Sequence, residues 1–171
     1  MSQLATSPTS TSHCRSRFAR EINQYEAGID IVTAAAKGLT TEQLNKRIGP
    51  GTWSIQEVIV HLLDSDLIAT HRMRRIAAEE LPLLISYDEN LFISKLPCQA
   101  LDLTTTLNLF TANRTFTAQW LRTLTTEEFA REGIHTQRGK ITLGLIVELY
   151  SKHVDHHMVF VQGKRAALGA R

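Results

Sequence analysis

Apolar residues recur at three- and four-residue steps along four long stretches of this chain, the spacing of one helix face. In the first, from about Arg15 to Lys37, the stripe is Phe18, Ile22, Tyr25, Ile29, Val32 and Ala36, and Gly38 supplies the stop. Ser54 followed by Glu57 is a capping box that opens the second. Its stripe of Ile55, Val58, Ile59, Leu62, Ala69, Met73 and Ile76 fades near Glu80, just before Pro82. The third runs from about Thr104 to Leu124 with Leu107, Phe110, Leu121 and Leu124 inward, and the fourth from about Thr142 to Leu168. Thr40 to Leu44 reads as a short capped turn, and Gly49-Pro50-Gly51 breaks the chain before the second helix. Leu83 to Ala100 is a linker with one short helix around Tyr87 to Ser94, Thr125 to Phe129 a brief turn, and Glu132 to Lys140 an irregular or hairpin-like excursion. Four long amphipathic helices with few strand signals predict an all-α fold, a four-helix bundle with long, unequal connections. Links as long as 38–53 and 81–103 permit parallel neighbours, so simple up-down-up-down order is not implied.

Composition bounds the function. At 171 residues the chain has the length of one ordinary domain, placed here over 15–171 behind a disordered leader, 1–14. Met1 to Ser12 is rich in Ser and Thr, without an acidic residue or the apolar stretch of a secretory signal. It is short for an organellar transit peptide and has no arginine before Arg15. Hydrophobic residues make up 43% and charged residues 21%, the balance of a soluble globular protein. A net charge of +2 gives no electrostatic case for nucleic acid or an anionic membrane. Arg72, Arg74 and Arg75 form the one tight basic group, and Glu79 and Glu80 follow it closely. No apolar run approaches the ~18 residues of a membrane span. Cys14 and Cys98 lack metal-type spacing, and reduced thiols in a cytoplasm are the expectation.

Chemistry concentrates in Lys152-His153-Val154-Asp155-His156-His157-Met158. On a helix, His153 and His157 lie about one turn apart and leave the same face. They share it with Ile146, Tyr150 and Val161, while Asp155 points away and His156 falls on the margin. Imidazoles in an apolar stripe need partners, since an unpaired buried polar group costs ~1–3 kcal/mol. Two core histidines bonded to side chains or water are one solution. Two ligands of a transition-metal site are the other, and the four-residue spacing favours it. A third ligand belongs on another helix. His13 sits in the leader, His71 beside an arginine-rich face and His135 in the excursion, whereas His61 lies mid-helix at the flank of the second stripe. Glu57 and Asp64 share its column, and either is a candidate to orient the imidazole or carry a proton, although the capping box already accounts for Glu57. Three neutral histidines without a carboxylate leave positions open for water or substrate, the catalytic pattern for zinc, and imidazole also suits nickel, copper or iron.

Arg114 projects into the stripe of Leu107, Phe110 and Leu121, where a charge is costly unless paired. It is a candidate to bind an anionic substrate group or to pair with Asp64 or Glu89. The favoured expectation is an arginine snorkelling to solvent near the bundle edge.

The segment Gly51-Thr52-Trp53-Ser54-Ile55-Gln56-Glu57-Val58-Ile59-Val60-His61-Leu62-Leu63-Asp64 resembles the signature of the DinB/YfiT-like superfamily, as does Leu149-Tyr150-Ser151-Lys152-His153-Val154-Asp155-His156-His157. Pro82 to Glu89 looks like the Y-D-E segment of the YfiT-like branch, and Arg72, eleven residues after His61, matches an arginine of that branch. The resemblance spans roughly Phe18 to Leu168. It implies a four-helix bundle, often dimeric, that holds one divalent metal ion per chain, zinc or nickel, through His61, His153 and His157. Asp64 and His156 would stand behind these ligands, with Asp64, Glu57, Tyr87 and Arg114 as candidate catalytic groups. Relatives include bacillithiol or mycothiol S-transferases, thiol-linked isomerases and proteins provisionally labelled metal-dependent hydrolases. The implied partners are therefore a small-molecule thiol, an electrophile, or both. Where the branch carries tryptophan after Y-D-E, this chain has Phe92, which keeps an aromatic surface and drops the indole donor. Three functional classes follow: a metal enzyme that activates a thiol or water, a bundle that holds metal or a small molecule without turnover, and a structural or interaction bundle with core histidines. The family's name aside, nothing in the charge distribution supports a role in DNA repair.

Overall fold

A computed structural model describes residues 18–170 of the chain; the expected leader, 1–14, and the expected helix start at Arg15 lie outside the described residues. The helices are α1 (Ala19–Ala36), α2 (Thr41–Asn45), α3 (Ile55–Ala78), α4 (Glu89–Lys95), α5 (Leu103–Leu121), α6 (Thr126–Phe129) and α7 (Leu143–Ala167). Their starts are chemical. Ser54 accepts from the backbone N–H of Glu57 while the Glu57 carboxylate accepts from that of Ser54, and Asp102 and Thr142 cap α5 and α7.

The four long helices α1, α3, α5 and α7 form the bundle, and side-chain ties give their directions. Gln24 donates to Asp155 and Arg165 to the carbonyl of Ala35, so α1 and α7 run parallel. Gln56 donates to the carbonyl of Leu101 and Thr70 bonds Thr117, so α3 and α5 also run parallel. The two pairs oppose one another, with α1 and α3 facing across one diagonal and α5 and α7 across the other. Parallel neighbours that follow in sequence need a connection as long as the bundle. The chain between α3 and α5 meets that need, and it carries α4, whose Ile93 packs on Val60 of α3.

A three-stranded sheet closes one end of the bundle. Strands β2 (Glu132–His135) and β3 (Gly139–Thr142) form an antiparallel hairpin, one of the two forms open to the 132–140 excursion. Strand β1 (Leu83–Leu84) joins β2 in parallel, with Leu83 opposite Ile134. That pairing is not foreshadowed, because two residues cannot display the period-two alternation of a strand.

Two apolar clusters fill the interior, one around Met73, Ile76, Leu121, Phe129 and Ile146, the other around Val32, Ile59, Leu62, Phe110 and Val154. A polar layer sits between them. Arg114 and Asp66 are both fully buried; Nε of Arg114 donates to Oδ2 of Asp66 at 2.5 Å and Nη2 to Oδ1 at 3.1 Å. Nη1 donates to the carbonyl of Tyr25, and the guanidinium lies 4.2 Å from the Tyr25 ring and 4.7 Å from that of Phe110. This corrects the sequence expectation. Arg114 does not snorkel and pairs with neither Asp64 nor Glu89, because Asp66, five residues beyond His61, supplies a buried carboxylate at its level. Gly28 is part of the arrangement, since a Cβ there would overlap Nη1 of Arg114.

Removing one partner of a buried pair leaves an uncompensated charge, which costs ~3–5 kcal/mol. Asp66→Ala is expected to lose about that much stability in urea denaturation. The double change Asp66→Leu with Arg114→Met is expected to recover most of it. A stable Asp66→Ala single variant would contradict the assignment.

Candidate metal centre

The last helix delivers two imidazoles and the second long helix a third. His153 and His157 on α7 have ring centroids 4.7 Å apart, and their Nε2 atoms lie 3.1 Å from one another. The His61 ring is 5.3 Å from that of His153 and 4.7 Å from that of His157. One nitrogen from each residue lies within 4.8 Å of the other two. Among the described residues this is the one such group of histidine, cysteine or carboxylate donors. His61 is 2% exposed, and its Nε2, like Nδ1 of His153, is buried without a hydrogen-bond partner. Trp53, just before the α3 cap, has its ring 4.9 Å from that of His61 and stacked at 6.4 Å on His157.

Electrostatics keep all three imidazoles neutral. Burial, with the charge of His157 next, depresses His61 from the ordinary 6.5 to about 4. Burial and the two neighbouring imidazoles take His153 to about 3, and burial with His156 takes His157 to about 4. Neutral nitrogens converging from two helices are the donor state a transition metal requires. The 3.1 Å separation is close to the ~3.3 Å edge of a tetrahedron built on metal–nitrogen bonds of ~2.0–2.1 Å. The residues present fit a divalent ion.

The remaining candidates sit differently. Glu57 is committed to the α3 cap and to Arg47, which donates to both of its oxygens. Burial alone would raise its carboxyl, but the hydrogen bonds from Arg47 and Ser54 outweigh it and hold the value below the usual range. Asp64 is half-buried with Oδ2 unpartnered, its carboxyl pushed up by burial, and it bonds none of the three imidazoles. Arg114 belongs to the core. His156 is exposed, with its ring 5.2 Å from that of His157.

Tyr87 does reach the site. It lines a cleft of about 280 Å³ that begins at His153 and runs between α3 and α7, roofed by the 86–89 segment and the 135–138 turn. Its hydroxyl bonds Oγ of Ser65 at 2.5 Å, and Phe92 supports its ring edge-on at 4.9 Å. Burial above all pushes the phenol up to about 12, so it remains a proton donor.

Sequence reasoning passed over Glu89, Ser65, Tyr150 and Trp53 as site residues. Glu89 places Oε2 3.7 Å from Nε2 of His61, and Tyr150 sets its ring 5.4 Å from His153. For Ser65 a signal was present. It lies one turn beyond His61 in the same α3 column, and Arg72 lies three turns beyond, ~20° round. Glu89 had only its place in the Y-D-E segment, because its position beside His61 depends on how the crossover folds.

Fold and site together define a four-helix bundle with a three-histidine cluster beside a cleft. The chain belongs to the DinB superfamily, whose sequence model matches residues 24–160. It is 29% identical over 144 residues to a protein of Oceanobacillus iheyensis provisionally named a metal-dependent hydrolase, an alignment covering 82% of this chain and 81% of that one. It is also 29% identical over 128 residues to YfiT of Bacillus subtilis, of the same provisional name, covering 74% and 72% of the two chains. The solved structure of that YfiT, described provisionally as a metal-dependent hydrolase with an unusual four-helix bundle topology, superposes with a TM-score of 0.85. The superposition covers 99% of this chain and 95% of that one at 24% identity, a likeness of fold. Among the described residues no helix is long and apolar enough to cross a membrane.

In the folded, metal-free chain the three imidazoles take up protons only near pH 4 and below, whereas unfolded histidines do so near 6.5. The unfolded state therefore binds more protons below 6.5, and stability falls as pH drops from there towards 4. Above pH 7 these groups contribute no pH dependence. Urea midpoints of metal-free protein between pH 4.5 and 8 should show this slope, and Ala substitution of the three histidines should flatten it.

Proposed function

We propose that the protein is a metal-dependent enzyme in which His61, His153 and His157 hold one divalent ion, zinc or nickel, beside the cleft. The carrying observation is that three neutral nitrogens converge with no carboxylate or thiolate among them. Such a set leaves the ion's charge uncompensated and coordination positions open. Bound there, the ion would lower the pKa of a coordinated water or low-molecular-weight thiol and so supply a nucleophile near neutral pH. The provisional hydrolase names of the relatives support water; the cleft beside the histidines also admits a small thiol.

The chain's own residues do the rest. Trp53 packs against the His61 and His157 rings and so holds them in place. Glu89, 52% exposed, stands 3.7 Å from His61 at the entrance, where its carboxylate takes the proton that the nucleophile gives up. Tyr87, fixed by Ser65 and held in its protonated form, presents a hydroxyl at the cleft wall to orient the substrate.

Elemental analysis of protein purified without an affinity tag is expected to give about one metal per chain, and His153→Ala to lose it. Glu89→Gln is expected to keep the metal while turnover drops ~10²-fold or more, the usual scale of a general base. Ester and amide substrates, and electrophiles offered with several thiols, supply the assay. A metal-replete protein inert across that screen would make it a binding bundle, and metal-free wild type would remove the centre altogether.

A further inference from the structure

The cleft has a second end, and its chemistry is the opposite of the first. Along α3 the column that starts at His61 passes Ser65 and reaches Arg72, ~16 Å further along the helix. On the antiparallel α7 the matching path runs from His153 past Tyr150 to Ile146. At this far end the cleft is lined by Arg72, His135 and Arg138, the last two from β2 and its turn. Arg72 is 8% exposed. Nη2 donates to the carbonyl of Ile85 at 2.5 Å, whereas Nε is buried with no hydrogen-bond partner. Among the described residues neither Arg72 nor Arg138 forms an ion pair with a carboxylate. Four other arginines each have one: Arg47 with Glu57, Arg75 with Glu79, Arg114 with Asp66 and Arg122 with Glu26. Burying a guanidinium without a counter-charge costs several kcal/mol, and the chain tolerates this at a cleft wall.

We propose that this end of the cleft is an anion subsite, in which Arg72 and Arg138 receive a carboxylate or phosphate group of the small-molecule substrate. The inference rests on reading the cleft as the substrate site, and it deepens that reading by naming the substrate class. Three observations converge on it. Arg72 lines the cleft and keeps a buried Nε–H that has no hydrogen-bond partner. Arg138, on the turn, brings a second positive charge to the same wall; both arginines, after burial, depress the imidazole of His135 between them. The carboxylate that does line the cleft, Glu89, stands beside His61 at the other end and leaves the cationic end free. A cleft of about 280 Å³, at the small end of ligand pockets, then sorts a bipolar molecule by charge, anion on the arginines and reacting group at the histidines.

The test is a titration followed by NMR, reading the Nε–H resonance of Arg72, in zinc-loaded protein and in metal-free protein dialysed clear of chelator. The probes are glutarate, methyl phosphate and the neutral control glutaramide. At least one anion is expected to shift the resonance saturably in both forms, with glutaramide silent. The tighter anion identifies the group as carboxylate or phosphate. Arg138→Gln, an exposed change that leaves the core intact, is expected to weaken that binding about tenfold, the worth of one charge-assisted hydrogen bond. Shifts from glutaramide, full affinity in Arg138→Gln, or no saturable binding would overturn the subsite. Binding confined to the zinc-loaded form would also overturn it, since the anion would then be a ligand of the metal. Anion binding to a protein that takes up no zinc would uphold the subsite and remove the metal centre, so the two readings fail separately.

Discussion

The site depends on how α3 is rotated about its own axis, and the Asp66–Arg114 pair sets that rotation. Asp66 must meet a guanidinium that enters from α5 and is held on its other side by the Tyr25 carbonyl of α1. With that direction fixed inward, residues of the His61 column fall ~100–140° away, on the side that faces α7 and the crossover. A turn of α3 by one position would carry Asp66 off its partner and His61 off the α7 histidines together. The most expensive interaction in the core therefore also aims the ligand.

Chain topology supplies the other half. Because α3 and α5 are parallel as well as adjacent, the chain must travel back along the bundle between them. That return path brings Glu89 and Tyr87 over the α3–α7 groove. It is anchored on the way by Arg72 and Arg75, which donate to the carbonyls of Ile85 and Leu83, and by the pairing of β1 with β2. The β2–β3 hairpin, also part of a connection, lends His135 and Arg138 to the same cleft. Long connections in this bundle build the walls of the site.

This division explains what could be read from the sequence. The helices were legible because their apolar spacing is periodic and their caps are chemical: Ser54 with Glu57 marks the start of α3, and Thr142 that of α7. His61, His153 and His157 were legible as a set because helical geometry alone puts two on one face and the third at a seam. Arg114 was misread, although its position in an apolar stripe was seen, because its partner Asp66 stands off the column in which a carboxylate was sought. Glu89 and Arg138 lie on segments whose paths follow from tertiary packing, where no local period carries information. Arg72 had a local signal, eleven residues from His61, but its missing counter-charge is a fact of three dimensions.

The two deeply buried arginines show where fold ends and function begins. Arg114 is satisfied on every side: a carboxylate takes two of its nitrogens, a carbonyl a third, and two aromatic rings flank its plane. Arg72, buried almost as deeply, has one carbonyl, the neighbouring Tyr150 hydroxyl and an Nε–H without a partner. If burial of charge served the core alone, the second position would have been better filled by an apolar side chain, which packs without a desolvation cost. The same contrast separates the cluster histidines from ordinary core histidines, which would use their ring nitrogens on carbonyls and hydroxyls. His61 and His153 instead each leave a buried nitrogen unpartnered, and His153 lines the cleft. Unsatisfied groups at both ends of one cavity, neutral donors at one and cations at the other, describe the molecule the cleft is built to hold.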